Sequence, residues 1–237
     1  MGTVMTIARR ELGAYFGSYL AYAVVALFLF INGIFFILNI VFSQSATIRP
    51  VIQTIYTILL LIAPMLTMRL ISEELRTSTI ELLLTAPVRE IEVVAGKYLA
   101  GLGFVGVMLG MTLVYPAILF AFGAPDVGVT VGGYLGIVLL GSAVVSIGLL
   151  ASSVTPNQIV SAVITFAVLL ALWVMDGLGN AIGGKAGAVV SYIALYPHFN
   201  DLTRGLINTK DIIYYVSLAG VGVFLSTMAL EARRWRG

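Results

Sequence analysis

The sequence predicts an all-α integral membrane protein with six transmembrane helices. Of its 237 residues, 60% are hydrophobic and only 10% are charged, whereas a soluble domain carries about 25% charged residues. Six stretches are also long and apolar enough to cross a bilayer core of about 30 Å as helices. Cysteine is absent, which excludes disulfides, zinc–thiolate sites and thiol catalysis.

Residues 1–18 predict an amphipathic helix that lies parallel to the membrane before the chain turns into its first span. Val4, Ile7 and Leu12 fall on one side of a helical wheel, with Arg9 and Arg10 on the other. Glu11 lies at the apolar edge, which suggests a protein partner on that side. A carboxylate that simply reaches the membrane surface is the alternative.

Six spans follow in order, at residues 19–42, 51–71, 98–122, 131–154, 157–175 and 212–230. Five contain no Asp, Glu, Lys or Arg, and the second contains Arg69 near its end, where a long side chain can reach the interface. Pro64 and Pro116 predict kinks. Thr155 and Pro156 predict a tight turn that makes a hairpin of the fourth and fifth spans.

Asn32 and Asn39 lie seven residues apart in the first span, and therefore on one face of the helix. They predict either hydrogen bonds between helices or a mildly polar lining of a transport pathway. Ion- and proton-coupled carriers usually need an Asp, Glu or His at membrane depth. These spans contain none, so the sequence offers no such driving group.

The distribution of Lys and Arg predicts that both termini are cytoplasmic, in the cell (inner) membrane. With the N-terminus inside, nine basic residues are cytoplasmic and four lie outside. The nine are Arg9, Arg10, Arg69, Arg76, Arg89, Lys97, Arg233, Arg234 and Arg236, and the four are Arg49, Lys185, Arg204 and Lys210.

Two long connections separate the spans. Residues 72–97 form a charged cytoplasmic loop, and residues 177–211 form an extracytoplasmic region rich in Gly and aromatics. The second region predicts short re-entrant or interfacial helices. His198 lies within it without neighbours at metal-ligand spacing, which favours structural packing over a metal site.

The centre of the cytoplasmic loop predicts a short, exposed apolar helix. Ser78 and Glu81 have the spacing of a capping box, so the helix should begin at Thr79 and end before Pro87. It carries Ile80, Leu82, Leu83 and Leu84. An apolar surface of this kind favours a partner protein that covers it; the alternative is that it rests on the membrane.

Two motifs carry a resemblance to a known family. The loop sequence Glu73-Glu74-x-Arg76-x-x-Thr79-Ile80-Glu81-Leu82-Leu83-Leu84-Thr85-x-Pro87 resembles the cytoplasmic loop of type-2 ABC transporter permeases. The N-terminal sequence Arg10-Glu11-Leu12-x-x-Tyr15-Phe16-x-Ser18-x-x-Ala21-Tyr22 is similar to the opening of the same family, particularly its gliding-motility branch.

The resemblance implies a partnership with two ATP-binding cassette subunits and a second permease, either another copy or a related chain. Residues 78–85 would be the coupling helix received by the ATPase, with Glu73, Glu74 and Arg76 at its approach. Arg9, Arg10 and Glu11 would also contact the ATPase. ATP and Mg would bind the ATPase, so this chain would hold no cofactor and catalyse nothing. A membrane-anchored auxiliary protein is a further expected partner in the gliding-motility branch.

We therefore expect residues 1–237 to form one permease domain of an ATP-driven exporter, acting as a dimer, either a homodimer or a pair with a related permease. A self-sufficient secondary transporter is the first alternative, and predicts a titratable residue at depth and an internal repeat. A membrane-embedded enzyme predicts converging carboxylates, His clusters or a Ser–Lys pair. A non-transporting anchor for an ABC ATPase needs the same coupling helix as an exporter. The sequence does not identify a substrate.

Overall fold

The computed structural model describes residues 2–43, 47–77, 79 and 88–234, and within these ranges it contains eleven helices and no strand. The helices are α1 (Gly2–Phe16), α2 (Tyr19–Ser43), α3 (Arg49–Thr67), α4 (Ser72–Arg76), α5 (Glu90–Thr112), α6 (Val114–Phe122), α7 (Val127–Val154), α8 (Gln158–Ile182), α9 (Gly184–Ile193), α10 (Leu195–Leu202) and α11 (Thr209–Arg234). Six segments of the described chain are long and apolar enough to cross a membrane, with α5 and α6 together forming the third. The prediction of an all-α fold with six spans is confirmed.

Side chains at the turns begin two of the long helices. The Oδ1 atom of Asp126 accepts hydrogen bonds from the first free amides of α7, at 2.7 Å from Gly128 N and 3.2 Å from Val129 N. Asn157 does the same for α8, accepting from Ile159 N at 2.9 Å. Such caps satisfy amide groups that have no partner within the helix. Because α7 ends at Val154 and the Asn157 cap begins α8 at Gln158, the fourth and fifth spans form the hairpin that the sequence predicts.

The third span is broken near its middle, between α5 and α6. Pro116 has no backbone N–H, so the carbonyl of Thr112 loses its helical donor, and the proline ring crowds that carbonyl. The hydroxyl of Tyr134 in α7 donates to the Thr112 carbonyl oxygen at 2.9 Å. The break is thus stabilised by a hydrogen bond from the fourth span.

The second and fourth spans, α3 and α7, form the buried centre of the bundle. Helix α11 packs along α7, α2 packs on α3, and α8 contacts both α3 and α7. The faces of α2 and α8 that point away from the centre carry large exposed apolar side chains, as expected where lipid or another chain is the neighbour. We call the end of the bundle with α1 and α4 the N-terminal face, and the other end the opposite face.

The region after the fifth span folds back on itself. Helix α8 extends to Ile182, well beyond the predicted end at residue 175, and α9 returns antiparallel beside it. The two backbones approach closely at Gly179 and Gly187, because a Cβ on Gly179 would lie 2.7 Å from the Gly187 carbonyl oxygen. Two short helices, α9 and α10, lie in this region; that they are re-entrant or interfacial stays a prediction.

Candidate functional site

A buried lysine joins three helices at the N-terminal face. Lys97, in the second turn of α5, is only 2% exposed although it carries a charge. Its Nζ atom lies 2.9 Å from Oε1 of Glu74 in α4 and 3.3 Å from Oε2 of Glu11 in α1. The ammonium group therefore holds together the N-terminal helix, the helix after the second span and the start of the third span.

The charges of this cluster balance. Arg10 Nη2 lies 3.3 Å from Glu11 Oε1. With Lys97 and Glu74, the cluster has two basic and two acidic side chains, and its formal net charge is zero. Removing a lysine from water costs several kcal/mol, which good ion-pair geometry can offset. Because the geometry is fixed by three helices at once, the cluster favours one particular arrangement of α1, α4 and α5.

Helix α4 is also attached to the fourth span. The Oγ atom of Ser152 in α7 accepts hydrogen bonds from the backbone amides of Ile71 and Ser72, each at 2.8 Å. These are free donors at the start of α4, and Ile71 and Ser72 are fully buried. Ser152 thus fixes the beginning of α4 to α7, while Lys97 fixes its middle to α5.

The N-terminal helix packs on the third span. A Cβ placed on Gly96 would lie 2.7 Å from Ile7 Cγ2, so only glycine allows this approach of α1 to α5. The Tyr15 ring stacks on Phe104, with 5.1 Å between ring centroids, and its hydroxyl donates to the Leu66 carbonyl at 2.9 Å. Burial, followed by the nearby Glu11 carboxylate, raises the pKa of the Tyr15 phenol, which keeps it protonated as a hydrogen-bond donor.

Between α1 and the first two spans lies a cavity of about 120 Å³. Its lining combines the charged residues Glu11, Arg69 and Glu73 with apolar side chains such as Leu20 and Met65. This gap means that α1 is held chiefly through α5 and less by its immediate successor α2, with which it makes few contacts. Helix α1 is therefore anchored mainly to the third span.

The structure describes only part of the predicted coupling segment. Glu74 is drawn into the Lys97 cluster, whereas Glu73, Arg76 and Thr79 are exposed. The Thr79 hydroxyl lies 2.9 Å from that of Thr77. The remaining predicted residues, Ser78, Ile80, Glu81, Leu82, Leu83, Leu84, Thr85 and Pro87, lie outside the described residues.

The residues of α1 that are predicted to contact the ATPase also differ in exposure. Arg9 and Arg10 are exposed, whereas Glu11 is partly buried against Lys97. The position of Glu11 at the apolar edge of α1 therefore has an explanation within this chain, and does not require a partner protein.

The two asparagines of the first span differ in burial. Asn32 is 1% exposed, and its amide donates to the Phe28 carbonyl of its own helix at 2.8 Å. Its Oδ1 atom is buried without a hydrogen-bond partner among the described residues. Asn39 is partly exposed. A pathway lining formed by these residues stays a prediction.

Lys97 and Ser152 are functional candidates that sequence reasoning missed. In the sequence, Lys97 is one of nine positive charges on the predicted cytoplasmic side, and Ser152 carries no signal of its own. The available signal was the position of Lys97 within the helix that continues into the third span, where a charge needs a partner. The sequence alone does not reveal that Glu11 and Glu74 converge on it.

Comparison with known proteins gives the family. The model of a family described as ABC-2 family transporter protein matches residues 5–230, which is nearly the whole chain. Among curated proteins, none matches significantly. Members of this family normally carry no catalytic activity themselves and work with an ABC ATPase on a separate subunit. The chain belongs to the ABC-2 transporter family, as a membrane permease subunit of an ABC transporter.

Proposed function

We propose that this chain is the permease of an ATP-driven exporter, and that its N-terminal face receives the ATPase. The observation that carries the proposal is the Lys97 cluster, which ties both ends of the loop at residues 78–87 to the N-terminal helix. The excess of Lys and Arg at this face supports a cytoplasmic location for both termini in the inner membrane. That is the compartment in which an ATPase would find ATP and Mg.

The coupling helix of this proposal is residues 78–85, and the exposed residues Glu73, Arg76, Arg9 and Arg10 are proposed as further contacts of the ATPase. A force applied to it reaches the second span through α4 and the third span through α5. The Ser152 hydrogen bonds carry the same displacement to the fourth span. Closure of the ATPases would therefore tilt the spans at the centre of the bundle and expose the pathway to the two sides in turn.

Two such permeases would form the transport unit, and we propose a homodimer. The N-terminal motif from Arg10 to Tyr22 supports placement in the gliding-motility branch, with a membrane-anchored auxiliary protein as a third component. The substrate class is left open by this proposal, because the described spans contain few polar groups that would select a cargo.

Co-purification of the tagged full-length chain from its native membranes tests the proposal. We expect a stoichiometric ABC ATPase to be retained by the wild type and lost with Glu81→Lys or Leu83→Asp. Glu231→Lys is the matched control, because it reverses an exposed acidic charge at the same face, outside the coupling segment. Retention of the ATPase by both coupling variants would contradict the proposal, as would absence of any ATPase from the cross-linked wild type.

A further inference from the structure

The cavity beside α1 is polar at its mouth and apolar towards the membrane. Its mouth lies at the N-terminal face, between the last turns of α1 and the segment that joins α3 to α4. The Arg69 guanidinium and the Glu73 carboxylate lie there, and both residues are exposed. The inner part is lined by Leu20, Val24 and Leu66, and Val24 lies about 7.5 Å along the axis of the first span. The head group and acyl chains of a phospholipid follow the same order.

The two charges at the mouth do not neutralise each other. Arg69 and Glu73 are four residues apart, but α3 ends at Thr67 and α4 begins at Ser72, so they are not neighbours on one helix. The ion pairs among the described residues include neither of them. Both lie within electrostatic reach of the Tyr15 hydroxyl in the wall of the cavity. The mouth therefore presents one cation and one anion that are open to a ligand.

The other polar groups of the lining differ in how far they are already engaged. The Glu11 carboxylate is held by Lys97, and the Tyr15 hydroxyl donates to a backbone carbonyl. Ser18 is half-buried in the lining and adds a hydroxyl group that can donate to a phosphate oxygen. A ligand would thus meet chiefly the guanidinium and the carboxylate at the mouth, with one hydroxyl beside them.

One cation and one anion match a zwitterionic head group. A phosphate suits the planar guanidinium of Arg69, which can donate two parallel hydrogen bonds to it. A primary ammonium group, with three N–H donors, suits the Glu73 carboxylate. A quaternary ammonium carries the same charge but has no N–H to donate. An anionic lipid would instead place a second negative charge beside Glu73 without a cation to balance it.

We propose that a phospholipid with a primary-amine head group, of the phosphatidylethanolamine type, occupies this cavity, with its phosphate on Arg69 and its ammonium group on Glu73. One acyl chain enters the apolar part and leaves beside Met65, which is 41% exposed on the outside of the bundle. The lipid fills the gap between α1 and the first two spans, where α1 makes few contacts with α2. It is a bound lipid of the leaflet at the N-terminal face, distinct from the cargo, and its binding needs no ATPase.

Native mass spectrometry of the purified full chain, delipidated in detergent, measures this binding. Phosphatidylethanolamine, phosphatidylcholine and phosphatidylglycerol with identical acyl chains are added in turn, and the apparent Kd of the first bound lipid is determined. For the wild type we expect phosphatidylethanolamine to bind about tenfold more tightly than either other lipid, as one hydrogen bond between charged groups supplies. Equal binding of the three lipids, or a preference for either of the others, would overturn the proposal.

Variants that remove one charge separate the two contacts. With Glu73→Gln the preference for phosphatidylethanolamine over phosphatidylcholine should disappear. With Arg69→Gln all three lipids should bind about tenfold more weakly, because each carries a phosphate. Arg76→Gln and Glu231→Gln are the matched controls, because they remove exposed charges at the same face that do not line the cavity, and they should bind lipid as the wild type does. An unchanged preference in Glu73→Gln would contradict the assigned contact.

Ala14→Trp tests the location of the lipid without changing a charge. Ala14 lines the cavity and is exposed, so an indole can fill the space, and the unfolding temperature shows that the variant is folded. We expect the preference to be lost in Ala14→Trp and kept in Gly13→Trp, where a Cβ meets nothing within 4 Å. A preference kept in Ala14→Trp would place the lipid elsewhere and overturn the proposal. No ATPase is present, so the outcome is independent of whether the permease couples to one.

Discussion

Lys97 and Glu74 form an ion pair of 2.9 Å across the root of the loop that connects the second and third spans. The segment between them in sequence contains the predicted coupling helix. The pair joins α4 and α5, the helices on either side of this segment. In the proposed function, this ion pair would convert a push from the ATPase into a coordinated movement of two spans.

The Lys97 cluster predicts a large loss of stability with Lys97→Met. The substitution leaves Glu11 and Glu74 partly buried without their shared cation, and breaking a buried pair in this way costs about 3–5 kcal/mol. We expect a clearly lower unfolding temperature of the purified chain in detergent. Arg10→Met is the control, because Arg10 is largely exposed and its removal should cost under about 1 kcal/mol. Equal effects of the two substitutions would contradict the assignment of Lys97 as the centre of the cluster.

The hydrogen bonds to Ser152 predict that alanine substitutions at Ser152 and Ser153 differ in their effect on stability. Ser152→Ala leaves the amides of Ile71 and Ser72 without their acceptor, at a cost of about 1–3 kcal/mol. Ser153 is equally buried, but its hydroxyl donates to the Leu150 carbonyl of its own helix, so Ser153→Ala should be nearly neutral. Thermal unfolding of both variants tests this contrast. A Ser152→Ala protein as stable as Ser153→Ala would show that α4 does not depend on this attachment.

The approach of α1 to the third span predicts a contrast between two glycines of α5. Gly96→Val would drive a side chain into Ile7, whereas nothing lies within 4 Å of a Cβ at Gly106. The two substitutions change helix propensity by the same amount, so this contribution cancels in the comparison. We therefore expect faster tryptic cleavage after Arg9 and Arg10 in Gly96→Val than in Gly106→Val, because α1 is displaced. Equal cleavage rates would argue against tight packing of α1 on α5.

Tyr15 predicts a loss of stability at alkaline pH. Burial raises the pKa of its phenol above the ordinary value of about 10, so the folded chain holds this proton more tightly than the unfolded chain. The resulting contribution to stability is full below about pH 10 and is lost as the pH rises further. The difference in unfolding free energy between wild type and Tyr15→Phe should be constant below about pH 10 and shrink above it. A difference that does not change over that range would contradict this.

The fold could be predicted because membrane helices are specified locally. Each span is a long apolar segment, and both Pro116 and the turn at Thr155–Pro156 act through the neighbouring backbone. Helix ends were less predictable: α5 begins at Glu90 and α8 ends at Ile182 because the helices continue past the apolar segments. Length and hydropathy do not contain that information.

The site could be predicted only in part, because it depends on contacts between distant residues. Glu11, Glu74 and Lys97 are far apart in sequence, and no local pattern brings them together. The sequence predicts a packing role for His198, whereas its pairing with Asp211 follows from the way α10 turns back to the sixth span. The sequence pattern within one helix predicts which residues share a face of that helix. Ion pairs between residues of different helices can be identified only from the folded structure.

The most direct test of the account is whether ATP at the N-terminal face moves the opposite face through Lys97. Thr203→Cys places a thiol at the end of α10, where the native side chain is 0% exposed. The permease–ATPase complex carrying this substitution is trapped with ATP and vanadate. The rate at which its thiol reacts with a membrane-impermeant thiol reagent is compared with the rate in the untrapped complex. We predict a change in the wild-type background, the same change with Arg10→Met, and no change with Lys97→Met, although that complex retains its ATPase. An unaltered response in Lys97→Met would contradict the claim that the buried cluster transmits the movement.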